Sequence, residues 1–233
     1  MKAYALLVLA HIGVGTLALI SFWIAGFARK GSPLHKRAGK VYLLAMLGIL
    51  LTAIPMAGVF FARGRTGIGV FFAYLVVITG TTVWLSWRAI RLKRELQLFY
   101  NARYRQVAVG NLAAGAAVLA IGLSLGSMLL ATFCWVGVFL GIGMLRQARK
   151  LPAAPNWWLK EHYGAMLGNG VATHVAFLGI GMNGFLASFG LPWLQLLPWI
   201  APIAVAVIAG FYLDRKYAPK ARVVASVASP VAI

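Results

Sequence analysis

WWLKEHYGAMLGNGVATHVAFLGIGMNGF, residues 157–185, is long enough to cross a bilayer, yet it carries two histidines, two asparagines, a threonine and a row of glycines. Each of those polar groups is costly in lipid unless something satisfies it. Reading the stretch as a membrane span divides the whole chain into seven apolar runs, at about 4–27, 41–62, 68–87, 107–126, 128–146, 162–187 and 193–213. Each run matches the roughly 20 residues that a helix needs to traverse about 30 Å of hydrocarbon. The charges test this reading. Nineteen of the 22 Lys and Arg residues fall after the first, third, fifth and seventh runs, and only Lys2, Arg63 and Arg65 fall on the opposite side. An omitted or surplus span would scramble that alternation. The expected architecture is therefore an all-α polytopic bundle of seven transmembrane helices, with the N-terminus outside and the C-terminus in the cytoplasm by the positive-inside rule.

Composition points the same way. Of 233 residues, 62% are hydrophobic and 11% charged, and the mean hydropathy is +0.86, a balance with which a soluble domain could not cover its surface. A transmembrane barrel would instead show short alternating segments. The connections leave no room for a soluble catalytic module, so residues 1–213 read as one seven-helix domain and 214–233 as a disordered basic cytoplasmic tail. The net charge of +19 is topological, with anionic lipid headgroups as its counterpart and no nucleic acid implied. A single basic residue precedes the first run and a basic cluster follows it, which favours a retained anchor over a cleaved signal peptide. The expected location is a bacterial inner membrane.

Local signals refine the bundle. Ser32 followed by Pro33 predicts a helix start with serine as cap, which places His35 in the first turn of a helix entering the second span. Trp84, Trp87, Trp157, Trp158, Trp193 and Trp199 lie near span ends, as an aromatic belt requires. Gly122 with Gly126, and Gly137 with Gly141, have the spacing that lets helices pack closely. Pro55, Pro198 and Pro202 each free a backbone carbonyl inside a span. The lone cysteine, Cys134, reads as a small buried residue and excludes any disulfide framework or CxxC metal site.

Glu95, Glu161 and Asp214 are the only acidic residues, and all sit outside the apolar runs. Paired-carboxylate catalysis and an intramembrane acidic proton site are thereby excluded, and a zinc hydrolase is disfavoured for want of a base. No HExxH, nucleophile elbow, phosphate loop or dinucleotide fingerprint occurs. Four histidines remain. With His162 at the cytoplasmic boundary, His174 lies roughly 18 Å further in, and His11 roughly 10 Å inside the outer end of the first span. The histidines thus fall on two levels, His35 with His162 and His11 with His174.

Two pairs at two depths suit two bis-imidazole haems, and the absence of CxxCH points to haem b. Gly170, one turn before His174, and Gly15, one turn after His11, would make room for a flat macrocycle. Against this, twelve residues turn an ideal helix so that His162 and His174 point about 120° apart, unless the glycine-rich stretch between them holds a bulge. His162, Asn169 and Thr173 share a stripe that could line a cavity without any metal. For His35 and His162 the alternative is interfacial solvation. For His11 and His174 it is a hydrogen bond to each other, to a hydroxyl or to a freed carbonyl. Asn169 and Asn183 read as interhelical hydrogen-bonding glue ahead of the alternative, ligand contacts.

HIGVGTLALISFWIAGFARKGSPLHKRAGKVY, followed much later by WWLKEHYGAMLGNGVATHVAF, resembles a family of bacterial membrane proteins known as domain of unknown function 2306. The shared signature falls on His11, Lys30, Gly31, His35, Gly39, Tyr42, His162 and His174. The resemblance supports the architecture and the choice of histidines and brings no activity with it. The leading expectation is a b-type cytochrome that carries electrons from a quinol or other reductant, with His11 and His174 as ligands to haem iron or another metal. Rival expectations are a His/Asn-lined site for a small molecule, a lipid or a soft metal ion, to which Met46, Met56, Met166 and Met182 could contribute, or an accessory subunit or homo-oligomer whose apolar faces are covered. A membrane-embedded hydrolase is the last.

Overall fold

The computed structural model describes residues 2–151 and 156–217, and the described chain is helical with no strand. Its elements are α1 (Lys2–Phe27), α2 (Pro33–Ala62), α3 (Thr66–Arg91), the single turn α4 (Leu96–Phe99), α5 (Ala102–Ser124), α6 (Met128–Lys150), α7 (Trp157–Val175), a π-helical segment (Ala176–Gly181), α8 (Asn183–Ala187) and α9 (Pro192–Tyr217). Six helices are long and apolar enough to cross a membrane, and together they define a multi-pass helical membrane protein. The seventh expected span, 162–187, is not one apolar helix. It is assembled from α7, the π segment and α8, because the polar residues of α7 lower its hydropathy and the backbone widens after Val175. The expected disorder of the tail falls outside the described residues from 218 onward, while Asp214–Tyr217 continue α9. The side chains of Asn183 and Trp193 also lie outside the description.

Helix starts follow the polar caps. Ser32 Oγ accepts from the His35 backbone N–H at 3.2 Å with Pro33 at the first helical position, as expected. Asn101 caps α5 through the Tyr104 N–H, and Ser127 caps α6 through that of Leu130. Gly126 has φ +62, and a Cβ placed there would meet nothing within 4 Å. It is therefore the left-handed turn residue between α5 and α6 and not the helix-packing glycine that its spacing implied.

Helix α3 is central: α2, α5, α6 and α7 all pack on it, while α1 pairs with α2, and α9 covers α7. The basic loops meet at one end of the bundle, which is called the basic end below. Lys30 there lies within electrostatic reach of Lys216, and Arg88 within that of Arg103. Arg63 stacks over Tyr4, 5.0 Å from the ring centroid, at the opposite end. One apolar cluster at the basic end gathers Phe99, Tyr100, Tyr104 and Trp157. Trp157 is thus a core residue and not a belt anchor, because the α3–α5 connection folds over it. Cys134 is fully buried in a second cluster, with Phe71, Tyr74 and Leu130. The third cluster joins Ala18 of α1 to Tyr42 and Met46 of α2, and Phe22, Val83 and Met166 pack around it.

Candidate functional site

Helix α7 carries the polar stripe, and α2 and α3 satisfy it. Asn169 is fully buried. Its Oδ1 accepts from Thr82 Oγ1 at 2.5 Å and its Nδ2 donates to Ser86 Oγ at 3.1 Å. The Ser86 hydroxyl itself donates to the Thr82 carbonyl at 2.8 Å. One turn along α7, Thr173 Oγ1 donates to the Asn169 carbonyl at 2.9 Å and therefore accepts from the Tyr42 hydroxyl, 3.0 Å away. Met46 Sδ lies 3.4 Å from the same oxygen. The stripe is closed by packed side chains instead of opening on a cavity. Asn169 and Thr173 serve as the glue between α7 and its neighbours, since a buried hydroxyl or amide in an apolar bundle takes the nearest polar partner.

Asn169→Leu is accordingly expected to lower thermal stability by about 1–3 kcal/mol, because it removes both side-chain bonds that join α7 to α3 at Thr82 and Ser86. Ser86→Ala, which leaves the Thr82 bond in place, should cost less. Equal effects in thermal unfolding of the detergent-solubilised protein would count against Asn169 as the centre of the network.

The histidines share one local chemistry. His35 Nδ1 lies 2.9 Å from the Ala25 carbonyl, His162 Nδ1 3.3 Å from that of Ser86, and His174 Nδ1 2.7 Å from that of Gly170. A carbonyl only accepts, so each of these Nδ1 atoms bears the proton. His11 Nδ1 lies 2.7 Å from Thr52 Oγ1, whose proton is directed to the Gly48 and Ile49 carbonyls at 2.8 and 3.0 Å. The same tautomer follows. In all four rings Nε2 has no hydrogen-bond partner among the described residues, and that of His174 is buried as well. A histidine that ligates a metal is commonly held in this way, with the second nitrogen anchored by a carbonyl or carboxylate.

The pairing differs from the expectation. His174 packs edge-on against Phe22 and Trp23, at centroid distances of 5.4 Å each, near the Phe27 end of α1. His11 sits eleven residues before Phe22, roughly 16 Å away along the same helix. The structure does not bring His11 and His174 together. The expected depth holds only for an α7 that begins at His162, whereas α7 begins at Trp157, packed beside Phe99, and Thr173 lies level with Tyr42. His162 faces α3 and His174 faces α1, as their angular offset requires. No bulge separates them, since the π segment begins after His174.

The glycines divide similarly. A Cβ on Gly170 would stand 2.5 Å from Phe22 Cζ, so that glycine makes room for a phenylalanine and not for a macrocycle. Gly15, and Gly39 one turn after His35, both face open space within 4 Å.

His35 and His162 both belong to the basic end. His35 and Lys30 both lie within electrostatic reach of His162. Lys30 donates to the Ala25 and Gly26 carbonyls, and burial, followed by the charge of Lys216, lowers its pKa. The two imidazoles are therefore anchored on different helices, to Ala25 of α1 and Ser86 of α3, with both Nε2 atoms unengaged. An imidazole nitrogen of this kind is the donor type that would hold a haem iron or another borderline metal ion. No cluster of three or more His, Cys, Asp or Glu side chains able to hold a metal occurs among the described residues, so a site built wholly from protein ligands has at most two histidines here.

Sequence reasoning passed over Thr52, Thr82 and Ser86, because hydroxyl residues are common in membrane helices and only their neighbours reveal their use. It also passed over the basic-end carboxylate Glu161, whose Oε1 accepts from Tyr100 Oη at 2.8 Å and Gln147 Nε2 at 3.2 Å.

Fold and site together define a multi-pass helical membrane protein whose four histidines each have an Nε2 without a hydrogen-bond partner among the described residues. No family model, curated protein or solved structure matches the chain.

Proposed function

We propose that this protein is a b-type cytochrome-like membrane protein that binds one haem at its basic end through His35 and His162. The observation that supports the reading is the matched pair of anchored imidazoles from α2 and α7, each with Nδ1–H held by a backbone carbonyl and Nε2 free. Gly39, whose missing Cβ leaves open space on the face of α2 that carries His35, adds room beside it. Bound haem supplies reversible one-electron transfer. The protein's part is to hold the two rings in one tautomer and to exclude water from them with α1 and α3. Its electron donor is a quinol or another reductant that reaches the same face. The chain crosses the cytoplasmic membrane of a bacterium seven times, α7 to α8 forming one crossing, with the basic end in the cytoplasm. The distribution of nineteen Lys and Arg residues supports that orientation.

The reading is tested by the visible spectrum of protein purified in detergent after expression with ample haem. A Soret band, with sharp α and β bands on dithionite reduction, is the expected result for six-coordinate bis-histidine iron. A featureless spectrum from folded protein overturns it.

A further inference from the structure

A second site lies away from the histidines, between α3 and α5. Gly80, Thr81 and Trp84 of α3 and Arg103, Gln106 and Val107 of α5 line an open groove of about 480 Å³. Its two ends differ in chemistry. At the basic end stand Arg103 and Gln106, both exposed, and the Arg103 guanidinium has no hydrogen-bond partner among the described residues. Arg88 stands beside them and is held in place. It stacks over Trp84 at 4.7 Å and donates to the Leu98 and Phe99 carbonyls at 2.6 and 2.9 Å. Two guanidinium charges thus converge where no carboxylate lines the groove. About a turn further in, Gly80, Thr81 and Val107 belong to helices apolar enough to cross a membrane.

We propose that this groove binds an anionic glycerophospholipid, its phosphate on Arg103 and Gln106 and its acyl chain along Gly80 and Val107. Charge complementarity selects the anionic head, and the depth of the apolar end selects an amphiphile over a soluble anion. Trp84, with one edge in the groove and Arg88 on its face, takes the interfacial place common to tryptophan.

The test is native mass spectrometry of the full-length protein in detergent, titrated separately with phosphatidylglycerol and phosphatidylcholine. The wild type should bind the first phosphatidylglycerol at least about fivefold more tightly than phosphatidylcholine, the effect expected of one well-placed basic side chain. Arg103→Gln should remove that preference and Gln106→Leu should reduce it. Arg94→Gln, in the basic loop but outside the groove, should leave it unchanged. All three positions are exposed, so the fold does not depend on them. A preference that survives Arg103→Gln, or that Arg94→Gln weakens equally, overturns the site and leaves only diffuse attraction to the basic face.

Discussion

Gly141→Val is expected to abolish the α5–α6 packing and to yield protein that extracts poorly or unfolds far below the wild-type transition. A Cβ at this position would stand 2.6 Å from the Ala108 carbonyl oxygen and 2.8 Å from Leu112 Cγ. The first of these is backbone, which cannot rotate aside. Gly115, against the Cys134 carbonyl, and Gly122, against Leu130 and the Ala131 backbone nitrogen, make the same close approach further along the pair. The two helices would have to separate over several turns and forfeit the dispersion contacts that drive association in lipid. Overpacking of this kind costs about 3 kcal/mol or more, or roughly 6–12 °C in a chain of this size. Gly143→Val is the control, since a Cβ there meets nothing within 4 Å. Similar melting temperatures for the two variants would show that α5 and α6 are not held by this contact.

His35→Leu and His162→Leu are each expected to eliminate the six-coordinate haem spectrum entirely, because a bis-histidine iron that loses either axial nitrogen changes its spin state or loses the haem. His11→Leu and His174→Leu should retain it, since the first ring is bonded to Thr52 and the second packs on Phe22 and Trp23, neither of them beside the proposed pair. His162→Gly supplies a control for folding, because added imidazole can enter the vacated space and restore the sharp reduced bands. Gel-filtration profiles matched to wild type accompany each comparison. A spectrum that vanishes with His174 but persists without His35 would place the iron elsewhere on α7 and refute the pairing.

Much of the fold is legible in one dimension. Hydropathy depends on composition within a window, so the long apolar helices match their expected spans to within a few residues at most ends, and Ser32 with Pro33 marks the start of α2 because a cap acts within one turn. The angular offset of His162 and His174 was equally legible, since rotation along a helix follows from its period. Gly126 and Gly170 were not. The same small residue serves as a turn, as a seat for Phe22 or as a helix contact, according to what lies opposite.

The amino-acid sequence by itself determined that the chain is helical and apolar enough to cross a membrane repeatedly, that its charge gathers at one end, and that its four histidines are the leading candidate ligands. Only the tertiary structure decided that His174 lies away from His11. Depth along a chain becomes depth in a bundle only through tilt and offset, and α7 enters low beside Phe99, so His174 reaches α1 at Phe22 and not at His11. Burial then assigns polar atoms their partners: Asn169 goes to Thr82 and Ser86, Thr173 to Tyr42, and every histidine Nδ1 to an oxygen. Those bonds join residues 41 to 131 positions apart in the network and the His11 and His162 contacts, separations over which no local pattern in the chain carries information.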